Sequence, residues 1–155
     1  MSESRNPDEE YQVVISGGGP AGLTAGLYTS RGRLRTLLIE KGVFGGQIAN
    51  AEQVDNFPGF PDGISGLELG QFMHQQADRY SLETIFAEVI GLEVKDRNKL
   101  VRTSEGDFRA QAVILASGSE RRKLGVLGEE ELLGKGVSYC ATCDGAFFQN
   151  EVVAV

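Results

Sequence analysis

Short apolar runs broken by glycine and proline organise the first forty residues. Tyr11-Gln12-Val13-Val14-Ile15-Ser16 is rich in β-branched residues and reads as a buried strand. It stops at Gly17-Gly18-Gly19, and Pro20 then stands where a helix takes its first residue, because proline's missing N–H costs nothing there. Leu23 and Leu27, with the small residues Ala25 and Gly26 between them, continue a helix to about Arg31, and Gly32 ends it. Thr36-Leu37-Leu38-Ile39-Glu40 is a second buried strand. Strand, helix and strand make a βαβ unit, so the two strands are expected to be parallel with a right-handed crossover.

Residues 41–66 carry most of the loop signals: Gly42, Gly45-Gly46, Pro58-Gly59, Pro61 and Gly63. A stretch this long with little regular structure inside a compact domain is usually functional. Leu69, Phe72, Met73, Ala77 and Tyr80 then recur at three- and four-residue spacing, which predicts an amphipathic helix from about Leu67 to Tyr80. His74 lies beside that stripe among glutamines and reads as an exposed helix histidine rather than a ligand. From Ile85 the pattern changes to strands with polar turns at Asp96-Arg97-Asn98 and Ser104-Glu105-Gly106, a small antiparallel meander inserted after the helix. Ala112-Val113-Ile114-Leu115-Ala116 is a continuous apolar run suited to a central parallel strand. A linker from Gly118 to Gly136 follows, and Val152-Val153-Ala154-Val155 reads as the first strand of another unit. The expected class is α/β and Rossmann-like: a parallel sheet with helices and a small antiparallel β-meander.

Composition narrows the picture without changing it. A chain of 155 residues has room for one ordinary domain and its own core. Its 21 glycines, nearly twice average usage and without a repeat, mark tight turns and close backbone approaches. A net charge of −7 argues against nucleic acid as a partner, since phosphate binding needs clustered Lys and Arg. The one basic cluster, Arg121-Arg122-Lys123, is balanced by Glu129-Glu130-Glu131 and reads as a solvated loop. No apolar run is long enough to span a bilayer, so no membrane association is expected. Residues 1–10 are polar and acidic, unlike a signal or transit peptide, and are expected to form a frayed tail. Two cysteines cannot staple a secreted scaffold, and the expected location is cytoplasmic.

Two motifs carry chemistry. GxGxxG alone is weak, but Gly17-Gly18-Gly19-Pro20-Ala21-Gly22 lies between a predicted strand and a predicted helix. Glu40 ends the next strand, 23 residues after Gly17, which is the context of a dinucleotide site rather than a structural turn. Gly17 allows the tight turn, Gly19 lets a pyrophosphate approach backbone N–H groups, and Gly22 lets helix and strand pack, while the helix N-terminus stabilises negative charge. Glu40 would bind a ribose hydroxyl and repel a 2′-phosphate, which disfavours NADP here; FAD and NAD stay open. The second motif is Cys140-Ala141-Thr142-Cys143. Closed structural zinc needs four ligands, and two cysteines with one distant histidine cannot supply them. Redox chemistry needs only the pair, one thiol of which its surroundings can make acidic. Asp144, next in the chain, offers a carboxyl group able to move a proton.

With these pieces the chain resembles the N-terminal part of low-molecular-weight thioredoxin reductases, from about Tyr11 to Val155. Gly17-Gly18-Gly19-Pro20-Ala21-Gly22-Leu23, Gly45-Gly46-Gln47, Val54-Asp55-Asn56-Phe57-Pro58-Gly59 and Ala116-Ser117-Gly118 carry the likeness. Cys140-Ala141-Thr142-Cys143-Asp144-Gly145 is the most specific piece. The resemblance implies that the dinucleotide is FAD. Gly17, Gly19, Pro20, Ala21 and Gly22 would hold its pyrophosphate, and Glu40 its adenosine ribose. Gly45, Gly46, Gln47 and Asn56 would line the flavin side, and the backbone near Val89 would meet the adenine. Ala116-Ser117-Gly118 matches the family's crossover motif with Ser in place of the usual Thr, and the hydroxyl survives that change. In the implied mechanism NADPH reduces FAD, and reduced FAD reduces the Cys140–Cys143 disulfide. Cys143 is then the sulfur nearer the flavin, Cys140 attacks the disulfide of thioredoxin, and Asp144 donates a proton. The full-length family is a homodimer.

The chain departs from the family at its end. No second GxGxxG exists in residues 23–155, so a place for NADPH is missing. A C-terminal return segment that would complete the FAD sheet is missing too, which would leave an unfilled strand position and exposed apolar surface. The expected organisation is a tail over 1–10, the N-terminal segment of an FAD-binding domain over 11–124, and over 125–155 the beginning of a pyridine-nucleotide domain carrying the cysteine pair. The expected function is thioredoxin-disulfide reduction in the parent enzyme, with this chain an inactive fragment of it. The alternatives are one subunit of a split flavoprotein and a non-catalytic FAD-binding module. The flavoprotein of alkyl hydroperoxide reductase is disfavoured by the short segment before the first strand. Ferredoxin–NADP reductases are disfavoured by the cysteine pair, whereas reductases driven by ferredoxin or another flavin donor stay open.

Overall fold

A computed structural model describes residues 10–95 and 98–155, apart from the side chains of Lys95, Thr142 and Cys143. The expected tail (residues 1–9) and most of the expected turn at Asp96-Arg97 lie outside the described residues. The chain divides into two compact units, one ending at Gly118 and the other beginning at Ser119.

The first unit opens with the expected βαβ element: β1 (Glu10–Ser16), α1 (Pro20–Arg31) and β2 (Thr36–Glu40). β1 and β2 are parallel, with Val13 opposite Thr36 and Ser16 opposite Ile39. Helix α2 (Gly66–Asp78) follows, then β3 (Glu83–Phe86), β4 (Val89–Lys95), β5 (Asn98–Thr103) and β6 (Gly106–Leu115). One six-stranded sheet results, in the order β3-β2-β1-β6-β5-β4. β3, β2, β1 and β6 run parallel, while β6, β5 and β4 are antiparallel neighbours.

The expected antiparallel meander is present as β4-β5-β6, continuous with the parallel part of the sheet. Residues 106–110 of β6 pair with β5, and residues 109–115 pair with β1, so one ten-residue strand joins the two halves. Ala112–Leu115 is the parallel strand segment its apolar run suggested, inside the sheet beside β1, though it is less covered than β1 and β2. Beyond Ala110, β6 has β1 on one flank and no strand on the other among the described residues, and Leu115 is 67% exposed.

Both faces of β1 and β2 are covered, which explains their uninterrupted apolar runs. Val13, Ile15 and Leu38 pack with Leu23 of α1, Ala77 of α2 and Leu82. The alternate residues Val14, Leu37 and Ile39 pack with Tyr11, Ile85, Ala87, Val101 and Ala110. Truncating any of the fully buried leucines to Ala costs about 2–5 kcal/mol by the usual cavity relation.

Helix α2 buries the expected Leu69 and Ala77, with Met73 packed against the core, but not the whole expected stripe. Gly66, Leu69, Gly70 and Ala77 are buried, whereas Phe72 and Tyr80 are 48% and 41% exposed. The two glycines decide the orientation. A Cβ on Gly66 would sit 1.8 Å from the Ile48 carbonyl oxygen, and one on Gly70 2.6 Å from that of Phe44. Only glycine lets the helix lie directly on the backbone of the preceding loop. Ser65 caps the helix, its hydroxyl accepting from the Glu68 N–H at 3.2 Å and donating to the Glu68 carboxylate at 2.7 Å.

The second unit is sparser. It contains a short helix, α3 (Ala141–Asp144), and a 3-10 turn over Gly145–Phe148. Val152–Val155 is not the expected strand: these residues are irregular and exposed, since a strand requires a neighbour to pair with and none stands beside them among the described residues. The Glu129–Glu131 run is not uniformly solvated. Glu129 is buried, and its carboxylate accepts from the N–H groups of Leu124 at 2.9 Å and Gly125 at 2.7 Å. Glu130 pairs with Lys123 at 2.6 Å, a contact that lowers the Glu130 carboxyl and raises the Lys123 amine from their ordinary values.

Candidate functional site

The glycine fingerprint occupies the C-terminal end of β1, between β2 and β6. Gly17 adopts φ +108°, and its N–H donates to the Ile39 carbonyl at 2.8 Å. A Cβ there would lie 2.3 Å from the carbonyl oxygen of Ala116, whose own N–H donates to Ser16 at 2.8 Å. A Cβ on Gly22, in the first turn of α1, would lie 1.8 Å from the Gly17 carbonyl oxygen. Helix, loop and the end of β6 are thus in backbone contact, and no residue with a side chain fits at either position.

Gly19 is the N-cap of α1, with Pro20, Ala21 and Gly22 in the first turn. No side chain caps this end, and no acidic residue occupies the first turn. The leading N–H groups of a helix carry partial positive charge and need acceptors. An uncapped, glycine-lined helix start is suited to an anionic group such as a pyrophosphate.

Glu40 ends β2 and bridges two loops. Its carboxylate accepts from the Gly18 N–H at 2.6 Å and from the Gly42 N–H at 2.7 Å. The Glu40 carbonyl accepts from the Ala87 N–H at 2.9 Å, which sets the segment leading to Val89 beside the same strand end. Val89 opens β4, opposite Thr103, and is packed against the core.

The second loop lies against the first through glycines. The Gly45 N–H donates to the Gly18 carbonyl at 2.9 Å, and a Cβ on Gly46 would be 3.2 Å from the Gly19 Cα. Gly45 and Gly46 both have left-handed φ values, +107° and +54°, and Gly46 starts a 3-10 turn that includes Gln47. The structure therefore brings Gly17, Gly19, Pro20, Ala21, Gly22, Glu40, Gly45, Gly46, Gln47 and Ala116 to one end of the parallel strands. Ser117 and Gly118 follow Ala116 and are exposed, and Gly118 has φ +68°. Asn56 is exposed on the loop excursion closed by the Val54–Ile64 bridge, and no hydrogen bond joins it to the glycine cluster among the described residues.

Two residues at this end escape the sequence pattern. Phe44 lies flat on His74, with ring centroids 3.8 Å apart and planes 10° apart, and also meets Phe86 at 5.3 Å. His74 is thus half-buried in a stack rather than solvent-exposed, and its Nε2 is buried with no hydrogen-bond partner among the described residues. Phe44 in turn sits beside Gly18, where a Cβ would approach it to 2.8 Å. A histidine between glutamines gives no signal of this, because its stacking partner comes from a loop 30 residues earlier.

In the second unit Cys140 is disulfide-bonded, and the side chain of Cys143 lies outside the described residues. The Asp144 N–H donates to the Cys140 carbonyl at 2.9 Å, closing the single turn of α3. Ser138, which the motif does not include, donates its hydroxyl to the Asp144 carboxylate at 2.6 Å. The same hydroxyl oxygen accepts from the Cys140 N–H at 3.1 Å.

A mixed α/β sheet with its glycine-rich turn at the C-terminal ends of the parallel strands is the FAD-binding, Rossmann-like type of domain. Residues 11–155 match the pyridine nucleotide-disulphide oxidoreductase family, and the chain belongs to that family. It is 47% identical over 145 residues to the thioredoxin reductase of Bacillus subtilis (strain 168), covering 94% of this chain and 46% of that protein. Against the thioredoxin reductase of Treponema pallidum (strain Nichols) identity is 44% over 148 residues, covering 96% and 48%. Among solved structures, the thioredoxin reductase from Streptococcus pyogenes matches with a TM-score of 0.80 and 44% identity over 90% of this chain and 45% of the other. A ferredoxin-flavin thioredoxin reductase from Clostridium acetobutylicum matches with a TM-score of 0.66 and 31% identity, over 90% and 48%. The chain spans about half the length of the relatives it matches, their N-terminal half.

Proposed function

We propose that these residues form the FAD-binding and dithiol-bearing part of a thioredoxin reductase. The observation that carries the reading is the junction at Gly17–Gly22, where backbone oxygens occupy the Cβ positions of Gly17 and Gly22 at an uncapped helix start. Gly17, Gly19, Pro20, Ala21 and Gly22 hold the pyrophosphate, and Glu40 binds the adenosine ribose. For that, Glu40 exchanges at least one of its two backbone N–H partners, or uses a remaining lone pair, to reach a hydroxyl. The backbone near Val89 meets the adenine. Gly45, Gly46, Gln47 and Asn56, with Ala116, Ser117 and Gly118, take the flavin side. Bound FAD, once reduced by an external two-electron donor, would supply the electrons that reduce a disulfide.

The chain's own residues then handle thiols and protons. Cys140 and Cys143 alternate between disulfide and dithiol, with Cys143 the sulfur nearer the flavin. In the dithiol form the Cys140 thiolate attacks one sulfur of the thioredoxin disulfide, and the other sulfur leaves. Cys143 then resolves the mixed disulfide, so thioredoxin gains two electrons and two protons while Cys140 and Cys143 are re-oxidised. Asp144, in the turn that Cys140 begins, moves a proton during the exchange.

The visible absorption spectrum of the purified chain tests the cofactor half of this reading. A flavin spectrum that bleaches with dithionite is expected after incubation with FAD and removal of the excess. A protein that stays colourless at every FAD concentration overturns it.

A further inference from the structure

Ser138 lies outside the cysteine motif, yet it touches both of its ends. Its hydroxyl oxygen accepts the Cys140 N–H at 3.1 Å, and its hydroxyl hydrogen goes to the Asp144 carboxylate at 2.6 Å. The Asp144 N–H meanwhile donates to the Cys140 carbonyl at 2.9 Å. A closed ring therefore runs from the Cys140 amide through Ser138 and Asp144 back to the Cys140 carbonyl. Serine accepting the N–H two residues ahead is a common local turn. Onward donation to a carboxylate is what distinguishes this one, because a bond to a charged acceptor is shorter and stronger than a neutral one.

From this geometry we propose that Ser138 is a positioning residue for the dithiol chemistry. It fixes the Asp144 carboxylate against the Cys140 turn, so that the proton carrier keeps one place as the disulfide opens and closes. The inference rests on the dithiol reading given above. Without Ser138, Asp144 still closes the turn through its backbone, but its carboxylate is free to rotate into water. Ala at 138 removes both bonds, and Thr retains the hydroxyl.

The reaction that reads this out needs only dithiothreitol. Its thiolate attacks the Cys140 disulfide, the protein S–S bond breaks, and the second dithiothreitol sulfur closes the reagent's own ring. The protein gains two electrons and two protons, and dithiothreitol loses them.

The test compares the full chain with Ser138→Ala, Ser138→Thr, Asp144→Asn and the Ser138→Ala/Asp144→Asn double variant. It measures the rate of disulfide reduction by dithiothreitol and the amide NMR shift of Cys140. Ser138→Ala is expected to slow reduction several-fold, Ser138→Thr to restore it, and Ser138→Ala to add nothing in the Asp144→Asn background. Asp144→Asn is expected to move the Cys140 amide signal only when Ser138 is present, a coupling that a merely structural serine does not produce. Wild-type kinetics in Ser138→Ala, or additive losses in the double variant, overturn the role of Ser138 while leaving the dithiol reading intact. A wild-type disulfide that dithiothreitol does not reduce, or a rate unchanged by Asp144→Asn, overturns both. Well-dispersed spectra of the variants separate these outcomes from misfolding.

Discussion

Gly22 and Gly59 show how differently one missing Cβ can matter. At Gly22 an added methyl would sit 1.8 Å from a backbone oxygen, and neither the helix nor the β1 turn can yield without moving the other. Gly59 has φ +102° but nothing within 4 Å of its Cβ position. Gly22→Ala is therefore expected to cost at least the 1–3 kcal/mol typical of overpacking, about 3 kcal/mol here, and to abolish flavin retention. Gly59→Ala carries only left-handed strain, roughly 1–2 kcal/mol, and should retain flavin. Urea unfolding followed by far-ultraviolet circular dichroism, with flavin absorbance on the same samples, checks both. Glu40 poses the complementary question of a side chain that two loops need. A glutamine in its place offers one carbonyl to two N–H donors, and its amide hydrogens point at the other. Loss of a bond to a charged group is worth about 1.5–3 kcal/mol, so Glu40→Gln should lower unfolding stability by that amount even without FAD. An unchanged midpoint would show that the carboxylate matters only to the ligand.

Elements formed by contiguous sequence were legible, and those defined by distant partners were not. β1, α1 and β2 announce themselves through an apolar run, three glycines, a proline and a second run, and each lies where the pattern places it. For α2 the period and the Leu69, Met73 and Ala77 part of the face were readable, but the rest of the face was not. Large apolar residues suggested Phe72 and Tyr80, whereas the helix turns Gly66 and Gly70 to the loop because their backbone contacts exclude any side chain. β6 was split in the reading because its two halves serve different neighbours, a register that no local pattern encodes. The stack of Phe44 on His74 was invisible for the same reason. Two opposing effects meet there: stacking beyond area burial is worth about 0.5–1.5 kcal/mol, while a buried nitrogen without a partner costs about 1–3 kcal/mol. His74→Phe keeps the ring and removes the orphaned Nε2, so it should stabilise the fold by about 1 kcal/mol and preserve flavin retention. His74→Ala loses the ring as well, should be no more stable than wild type, and should loosen the Phe44 loop enough to weaken FAD binding. Denaturation midpoints and FAD titrations of the two variants separate ring from nitrogen; identical behaviour would show that the stack holds nothing in place.

Across the whole molecule, the site residues fall into two units, the glycine cluster in the first and the dithiol in the second. The glycine spacing and the cysteine pair were legible, since both are written locally. What would join those parts was not, and it bears on the proposed nucleotide donor. These 155 residues contain one glycine fingerprint, and on the proposed reading its strand-end carboxylate, Glu40, would repel a 2′-phosphate. A single site of that kind cannot hold FAD and accept NADPH at once. Purified chain loaded with FAD should therefore show no NADPH-dependent reduction of thioredoxin, measured as loss of NADPH absorbance with an insulin-precipitation readout. Supplying electrons directly from dithionite should still bleach the flavin, which separates a missing donor site from a missing cofactor. Turnover that requires a co-purifying second polypeptide would place the donor site there, as a split flavoprotein demands. Robust turnover by the purified chain alone would mean that the one fingerprint serves the nicotinamide nucleotide instead, and the assignment of Glu40 to an FAD ribose would fall with it.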